Sequence, residues 1–388
     1  MGQEKKASTR PMPEYRVIDT PAALQKFVRQ TAKSSMIAVD LEADSMYHYR
    51  EKVCLIQMSA NGRTVVIDPL QLTDLSQLRP VFADPALCKV FHGADYDVRS
   101  LHRDFGFSIA NLFDTQLASV YLGYKETGLE AVVAERFGIE LDKKYQKKDW
   151  SQRPLPDDMM AYAASDVAYL IPLAKILMRE LKKQARLAWV EEECALLSKV
   201  RAPENNNAPL FLKFKGAGRL TPRQLAVLEE LLQLRDSLAR QKDRPWFKII
   251  SNAALLKIAS IGPTTLQGLK KCTVLSDRQL DMYANSLLEV IKKAYKLPRP
   301  QLPKYPIQRS LRLSPKVPAR VKVLRAWRDE KAEKLALDPA LLFNKALIRD
   351  IAAKKPRTME DLQEVPGIHQ WQTRFFGRQL IDILKNLP

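Results

Sequence analysis

The sequence predicts a mixed α/β domain followed by two small all-α domains, and three observations carry this prediction. Strand-like and helix-like segments alternate over the first 170 or so residues, whereas the segments after about residue 204 have helical periodicity. The polar stretch "PENNNAP" separates these two parts of the chain. Within the helical part, residues recur at an offset of 93, which indicates two copies of one module.

Local signals locate the first elements of the α/β part. The segment "TPAALQKFVRQTAK" predicts a helix, because Thr20 is a good N-cap and Pro21 suits the first helical position. A short strand precedes this helix at "YRVID", and three strands with a hairpin at "NGR" follow it: "MIAVDLE", "VCLIQMSA" and "TVVIDP". Three consecutive strands joined in this way predict an antiparallel meander that feeds a central sheet.

The remaining elements of the α/β part alternate again between helix and strand. A helix at "LSQLRPVFAD" and a strand at "CKVFHGA" precede two helices that end at Gly106 and Gly123, because glycine readily adopts the left-handed conformation that closes a helix. Three further segments are predicted to be helical: "LEAVVAERFG", "PDDMMAYAASDVAYLIPLAKILMRELKKQ" and "WVEEECALLSKV". These helices are expected to cover the sheet.

Composition narrows the class of protein. A chain of 388 residues that is 46% hydrophobic can form two or three separate cores. It contains no run of 18 uncharged apolar residues, and its first 30 residues lack a signal-peptide core, so we expect a cytoplasmic protein without a membrane partner. The four cysteines, Cys54, Cys88, Cys194 and Cys272, lie far apart, which disfavours a zinc site or a disulfide framework and predicts small core residues.

The net positive charge of the chain comes from its C-terminal half. The formal net charge is +19; residues 1–200 sum to zero, so residues 201–388 carry the excess. Twelve Lys or Arg and no acidic residue occur from Lys292 to Arg328. Such a balance suits a polyanion, most often nucleic acid, although a run of charge is commonly only a solvated face.

The internal repeat defines the organisation of the helical part. Arg235 and Asp236 recur as Arg328 and Asp329, and "LLEVIK" recurs as "LIDILK". We therefore predict an α/β domain over residues 1–204, a first helical domain over 217–296 and a second over 318–388. Six prolines fall within residues 298–318, so a semi-rigid, proline-rich basic linker is expected over residues 297–317.

Two acidic residues stand at the end of a predicted buried strand. Asp40 and Glu42 are two positions apart, so the pleat projects both carboxylates from one face, where they repel each other. Alternatively, one is solvated and the other caps the next turn. Asp44 has the same parity and competes with them, although the chain is predicted to be turning there.

Two more acidic sites occur on predicted helices. Asp95 and Asp97 fall in the first turn of one helix, where acids are favoured simply as caps. Tyr162 and Asp166 are four apart on another helix and share a face, although they could equally form a surface pair. The alanines around Tyr162 are small, and we expect them to leave room for a bulky ligand.

Together these acidic sites resemble the tyrosine branch of the DEDD exonuclease superfamily and, within it, the ribonuclease D family. The segments that carry the resemblance occur in family order: "VDLEADSMYHYREKVCLIQMS", "VFHGADYDVRSLHRDFG", "LFDTQLAS", "KKDWSQRPLP" and "YAASDVAYL". The two helical repeats are similar to HRDC (helicase and ribonuclease D C-terminal) domains. The resemblance implies a ribonuclease H-like mixed-sheet exonuclease domain followed by two all-α HRDC domains.

The resemblance also assigns roles to single residues. It implies that the catalytic residues are Asp40, Glu42, Asp97, Tyr162 and Asp166 and that the four acids among them bind metal. Asp97 is preferred to Asp95 because the family places its acid directly after an aromatic residue, here Tyr96. Asp114 is explained by helix capping, and His92 is interpreted as structural. No other cofactor is implied.

Carboxylate ligands without Cys or His favour two Mg²⁺ or Mn²⁺ ions over zinc. The implied activity is metal-dependent 3′→5′ exoribonucleolysis that releases nucleoside 5′-monophosphates, with tRNA precursors as the family's usual substrate. A 3′→5′ DNA exonuclease and a non-catalytic RNA-binding scaffold are the alternatives. No obligate protein partner is evident.

The helical part and its linker are expected to contact RNA phosphates without reading sequence. Phe211 and Phe214 lie between Lys and Arg residues that are predicted to contact RNA. Their rings either stack on bases or pack in the core. The candidate contacts are Lys213, Lys215, Arg219, Lys292, Lys293, Lys296, Arg299, Lys304, Arg309 and Arg312.

Overall fold

The computed structural model describes residues 14–203, 208–306 and 314–387. Within these ranges a six-stranded sheet has the order β1-β4-β3-β2-β5-β6. The β2–β3 and β3–β4 pairs are antiparallel and the β1–β4, β2–β5 and β5–β6 pairs are parallel, which confirms the predicted meander. The strands are β1 (Tyr15–Ile18), β2 (Met36–Ala43), β3 (Val53–Ala60), β4 (Arg63–Ile67), β5 (Cys88–Phe91) and β6 (Leu112–Asp114).

Helices cover the sheet and form the whole of the C-terminal part. Those of the α/β part are α1 (Pro21–Thr31), α2 (Arg79–Ala83), α3 (Asp95–Phe105), α4 (Thr115–Leu122), α5 (Leu129–Phe137), α6 (Asp157–Ala168), α7 (Leu170–Lys183) and α8 (Leu187–Leu197). The first repeat contains α9 (Pro222–Gln241), α10 (Trp246–Ile249), α11 (Asn252–Ile261), α12 (Leu266–Lys271) and α13 (Asp277–Tyr295). The second repeat contains α14 (Val317–Leu335), α15 (Pro339–Leu342), α16 (Lys345–Lys354), α17 (Met359–Gln363) and α18 (Gln370–Lys385).

Several local predictions are confirmed. The Thr20 side chain caps α1 by accepting from the backbone N–H of Ala23, with Pro21 at the first helical position. Gly106 and Gly123 close α3 and α4 with φ values of 66° and 85°. All four cysteines are buried and unpaired. These features depend on a few neighbouring residues, and a single sequence is sufficient to specify them.

Three elements differ from the prediction. Strand β6 was missed because its three residues are too short to show a period. The segment "LSQLRPVFAD" is a 3₁₀ turn, Ser76–Leu78, followed by the short helix α2. The long helix predicted from residue 156 onward is divided at Tyr169, because Pro172 has no N–H and its ring clashes with the carbonyl of Ala168.

The stretch Asp157–Lys183 is long and apolar enough to pass a composition test for a membrane-spanning helix. In the structure this stretch is not a single continuous helix. The chain is divided into α6 and α7, and α7 buries Leu173, Leu177 and Leu181 completely in the core. The apolar composition of this stretch is therefore explained by packing against the sheet.

The chain forms two compact units. One contains Met1–Ala43, Val53–Ala202 and Ser310–Pro388, and therefore combines the sheet with the second repeat. The other contains Asp44–Lys52 and Pro203–Arg309, and therefore combines the loop after β2 with the first repeat. The domain boundaries drawn from the sequence at residues 204, 217, 296 and 317 remain predictions. Phe211 and Phe214 are both buried in the core of the second unit, so the packing alternative is correct for them.

The two repeats share internal hydrogen bonds at the predicted offset of 93. Arg235 donates to the carbonyl oxygen of Ile250 over 3.1 Å, and Arg328 donates to that of Phe343 over 3.0 Å. Both acceptors lie 15 residues after their donors. The Arg and its acceptor carbonyl therefore occupy equivalent positions in the two copies, and residue 93 + n of the second repeat can be compared directly with residue n of the first.

Aromatic packing joins the second repeat to the α/β part of its unit. The rings of Trp189 on α8 and Trp371 on α18 stack with centroids 4.5 Å apart and planes inclined by 18°. Glu192 accepts hydrogen bonds from the backbone N–H groups of Gln370 and Trp371, and so satisfies the free donors at the start of α18. The second repeat is therefore part of the core of the unit that holds the sheet.

Candidate active site

Strand β2 presents Asp40 and Glu42 on one face, as the pleat predicts. In the antiparallel register with β3, Asp40 lies opposite Gln57 and Glu42 lies opposite Leu55. Leu55 belongs to a small apolar cluster that also contains Ala163 and Ala164 of α6. Since residues directly opposite each other in a ladder project from the same face, both carboxylates point towards α6.

Helix α6 completes a cluster of carboxylates. Asp40, Glu42 and Asp166 each offer an oxygen atom, and these oxygens lie within 4.8 Å of one another. Tyr162 is one turn before Asp166, and the two side chains influence each other's pKa. Residues more than 120 positions apart in the chain are thus brought to one point between β2 and α6.

The alanines of α6 have a different role from the predicted one. We expected them to leave open room beside Tyr162, but Ala163 and Ala164 are fully buried against the sheet. Their small size lets the helix approach β3 and β4 closely, and this places Asp166 within reach of the strand carboxylates. The prediction of open space at these two alanines is therefore wrong, and the physical reason is close packing.

Asp97 lies at the edge of the cluster. It is 7% exposed in the first turn of α3. Among the described residues it is not part of the set within 4.8 Å, yet its charge contributes to raising the pKa of Glu42. Its neighbour Asp95 is exposed and forms an ion pair with Arg99 over 2.7 Å, so Asp95 is directed away from the site. This supports the preference for Asp97.

Asp114 holds the segment that leads into α3. Its carboxylate accepts from the backbone N–H groups of Gly93 and Ala94, over 3.0 and 2.8 Å, and from those of Gln116 and Leu117 at the start of α4. The predicted capping role is therefore correct, and it extends to the turn before Asp97. His92 lies 2.9 Å from the hydroxyl of Thr115 on the same turn, which fits its structural interpretation.

We expect Asp114→Ala to lower the free energy of unfolding by about 2–3 kcal/mol, because buried N–H groups at two helix starts would lose a charged acceptor. Urea denaturation measures this directly. Asp74→Ala is the matched control, since the exposed Asp74 accepts from a single backbone N–H, that of Ser76. Equal losses in the two variants would contradict the proposed role of Asp114.

Burial makes the carboxylate cluster electrostatically unfavourable in the absence of cations. Desolvation raises the pKa of Asp40 to about 7. Desolvation, followed by the charge of Asp40, raises the pKa of Asp166 to about 8. The pKa of Glu42 is raised well above its usual range by burial and by its three acidic neighbours. Several carboxylates in one low-dielectric pocket cannot all ionise without a counter-charge.

Tyr162 is held as a neutral hydrogen-bond donor. Burial, followed by the charges of Asp166 and Glu42, raises the pKa of its hydroxyl far above the usual value of 10. Its ring packs against Trp150 and Tyr145, with centroids 6.1 and 5.8 Å away. The phenol therefore remains protonated at neutral pH and is fixed in position.

A partly buried ion pair between Arg153 and Asp68 supports the segment that carries Trp150. Arg153 binds Asp68 through two of its nitrogens, over 2.6 and 2.8 Å, and also donates to the carbonyl oxygens of Trp150 and Cys54. A guanidinium in this bidentate arrangement fixes the direction of the chain. The Trp150 ring is thereby held against Tyr162.

The donor set fits divalent cations that prefer oxygen ligands. Carboxylates supply the oxygens, and Gln57 is fully buried on the strand opposite Asp40 with both side-chain polar atoms lacking a hydrogen-bond partner in the described part of the chain. An orphaned amide beside a carboxylate cluster is consistent with a hydrated ion between them. Sequence reasoning missed Gln57; the signal that could have found it is the hairpin register, which places it opposite Asp40.

The competing acid, Asp44, belongs to the loop after β2. It is buried, and its carboxylate accepts from the backbone N–H of Lys52 over 2.6 Å. This hydrogen bond closes the loop Asp44–Lys52, so the turn interpretation of Asp44 is correct.

The predicted RNA contacts divide into described and undescribed residues. Lys213, Lys215, Arg219, Lys292, Lys293, Lys296, Arg299 and Lys304 are exposed in the unit that contains the first repeat. Of these, Lys293 forms an ion pair with Glu230 over 2.8 Å. Arg309 and Arg312 lie outside the described residues. Their roles in binding RNA remain predictions.

Comparison with known proteins follows the same division of the chain. Residues 15–182 match the family described as 3′-5′ exonuclease, and residues 224–291 and 317–384 match the HRDC domain. A ribonuclease D from Acidiphilium cryptum is 30% identical over 375 residues, which cover 95% of this chain and 93% of the relative. The two HRDC matches are again offset by 93 residues, which confirms the repeat.

Two solved structures support the relationship. The crystal structure of Escherichia coli RNase D, an exoribonuclease involved in structured RNA processing, is 27% identical and aligns with a TM-score of 0.72 over 97% of this chain and 100% of that chain. The catalytic core of RRP6 from Trypanosoma brucei is 32% identical, with a TM-score of 0.62, and covers 74% of this chain and 82% of that chain. The predicted fold class is confirmed, and the chain belongs to the ribonuclease D family.

Proposed function

We propose that the protein is a metal-dependent 3′→5′ exoribonuclease that releases nucleoside 5′-monophosphates. The observation that carries this proposal is the convergence of Asp40, Glu42 and Asp166 within 4.8 Å, beside the protonated hydroxyl of Tyr162. Family membership supports the same direction of digestion, since the matching family is described as a 3′-5′ exonuclease.

The residues that would hold two Mg²⁺ or Mn²⁺ ions are Asp40, Glu42, Asp97 and Asp166. When bound, such ions would supply Lewis acidity that makes water nucleophilic near neutral pH and neutralises charge on the phosphate and the leaving 3′-oxygen. The fixed positions of the carboxylates on β2, α3 and α6 would determine where the ions bind. Binding of the ions would release the carboxyl protons, because the cations would supply the counter-charge that offsets the repulsion between the ionised carboxylates.

Tyr162 would act as a positioning donor. Its pKa is raised by burial and by the charge of Asp166, so its neutral form can donate to a water or to a phosphate oxygen but cannot serve as a strong base. Packing of its ring on Trp150 limits the motion of the hydroxyl. A fixed donor of this kind aligns the attacking group before reaction.

The proposed substrates are structured RNAs, with tRNA precursors first among them. The net positive charge of residues 201–388 supports a polyanionic substrate. The Escherichia coli neighbour, an exoribonuclease involved in structured RNA processing, supports RNA over DNA. We also propose that the protein acts in the cytoplasm, which suits four free, buried cysteines, and that it needs no obligate protein partner.

Digestion of a 3′-extended tRNA precursor beside a single-stranded DNA of matched length tests the proposal. We expect 5′-mononucleotides from the RNA with Mg²⁺ or Mn²⁺, and none after chelation, because the clustered carboxylates need a cationic counter-charge to bind and activate the phosphate. Faster digestion of the DNA would favour the DNA exonuclease alternative. RNA binding without hydrolysis under either metal would favour the scaffold alternative.

A further inference from the structure

The first repeat has a corner that its copy lacks. This corner, which we call the basic aromatic corner, spans residues 240–248, from the end of α9 into α10, and its net formal charge is +3. Both of its aromatic side chains, Trp246 and Phe247, are 53% exposed. Large aromatic side chains that remain this exposed contribute little to stability and are typical of binding surfaces.

The second repeat has a different segment at the equivalent position. Its equivalent residues, 333–341, have a net formal charge of −1 and contain no aromatic residue. Pro339 and Ala340 replace Trp246 and Phe247 at the offset of 93. Here the carbonyl oxygen of Leu335 accepts from Arg186 of the α/β part over 2.7 Å, and Leu337 is buried. In the second repeat this segment therefore contacts the α/β part of its own unit.

Two acidic side chains of the first repeat contact both the corner and the loop Asp44–Lys52, and Asp236 forms an ion pair with Arg240 of the corner over 3.3 Å. Asp236 accepts from the hydroxyl of Tyr49 over 2.8 Å and from the indole of Trp246 over 3.0 Å. Asp243 accepts from the backbone N–H of Tyr49 over 3.1 Å and lies 2.7 Å from the imidazole of His48. The indole N–H of Trp246 is therefore fixed by a hydrogen bond, while about half of the side chain remains exposed to solvent.

Arg244 and Phe247 are available for a ligand. Neither side chain has a hydrogen bond, ion pair or ring contact with another residue of the described part of the chain. Lys242 and Lys248 flank them, each over a tyrosine ring of the same unit, at 5.4 Å from Tyr283 and 4.2 Å from Tyr47. Cations around flat aromatic faces match a phosphate backbone with unstacked bases.

We propose that the basic aromatic corner binds a single-stranded segment of RNA, with a base stacked on Phe247 or Trp246 and phosphates beside Arg244, Lys242 and Lys248. The proposal rests on the proposed exoribonuclease function for its choice of ligand. Charge complementarity favours RNA over an apolar protein segment, because Lys242, Arg244 and Lys248 of the corner remain after Arg240 pairs with Asp236. The duplicated module therefore uses one corner for internal packing and the other for substrate.

Binding of a fluorescently labelled, unstructured RNA to the full chain, in buffer with chelator and at several salt concentrations, tests the corner. We expect Phe247→Ala to weaken binding about 10-fold at every salt concentration, because stacking is lost but no cation is removed. Arg244→Gln is expected to lower the slope of log K against log salt by about 0.7, the value for one phosphate contact on a single strand.

Leu266→Ala is the matched control, since Leu266 is an equally accessible apolar side chain, 46% exposed, on α12 of the same repeat. It should leave affinity unchanged. Equal affinities of Phe247→Ala and the wild type, or equal weakening in Phe247→Ala and Leu266→Ala, would overturn the proposal. RNA should also protect tryptophan fluorescence from quenching by iodide, because the side chain of Trp246 is 53% exposed. Unchanged quenching at saturating RNA would contradict binding at the corner.

The exoribonuclease assay separates this proposal from the function on which it rests. A wild-type chain that binds RNA but does not hydrolyse it would contradict the proposed exoribonuclease function. The effect of Phe247→Ala on affinity would still test whether the corner binds RNA. Conversely, full hydrolysis with unchanged affinity in Phe247→Ala would retain the enzyme and reject the corner.

Discussion

Asp40→Asn is expected to reduce mononucleotide release by about 10³-fold or more, because a neutral amide is a weak metal ligand and the transition state would lose several kcal/mol of charge stabilisation. Asp40 is central to the cluster: its oxygen lies within 4.8 Å of those of Glu42 and Asp166, and its charge raises the pKa of Asp97. Steady-state release of labelled 5′-monophosphate from RNA measures the effect.

Asp95→Asn provides the matched control, since Asp95 is also an acid of the catalytic motif region but is exposed and paired with Arg99. It should retain activity within a factor of about two, as is usual for a surface pair. RNA affinity, measured in chelator, should be similar in both variants. An active Asp40→Asn enzyme would contradict the metal-site assignment, and an inactive Asp95→Asn enzyme would contradict the choice of Asp97.

The metal-free protein should lose stability as the pH rises from about 4 to about 8. The folded pKa values of Asp40 and Asp166, about 7 and about 8, lie above their ordinary value of 3.8. Between these limits the folded state binds more protons than the unfolded state, so the free energy of unfolding decreases with rising pH. Thermal unfolding in chelator at several pH values measures this decrease.

Divalent metal reverses this loss at the alkaline end, because binding to the folded state alone stabilises it by mass action. Mg²⁺ or Mn²⁺ at pH 8 should therefore raise the melting temperature, with little effect at pH 5. Asp166→Asn should flatten the pH profile of the metal-free protein and raise its melting temperature at pH 8, because one buried charge is gone. A profile that rises with pH in chelator would exclude the charge repulsion inferred here.

Much of the local structure followed from the sequence. The cap at Thr20, the glycine ends of α3 and α4 and the strand parity of Asp40 and Glu42 each depend on residues within one or two turns. The repeat could also be recognised, because a duplicated module keeps the same residues at a constant offset. Family resemblance then connected five dispersed residues that were individually ambiguous.

Other features required the tertiary structure. Ala163 and Ala164 proved to be packing residues, and Gln57 proved to be an orphaned amide opposite Asp40, because helix approach and strand register are set by contacts distant in sequence. The cluster that joins Asp40 and Glu42 of β2 to Asp166 of α6 has the same origin.

From the sequence alone we could predict the candidate metal ligands, the bounds of most elements and the duplication of the helical module. The folded structure shows that Asp166 meets the strand carboxylates while Asp97 lies at their edge. It also decided that one copy of the repeat packs with the sheet while the other exposes Trp246 and Phe247. Side-chain type and periodicity can be read from neighbouring residues in the sequence. Burial and the interaction between charges depend instead on packing between segments that are distant in the sequence.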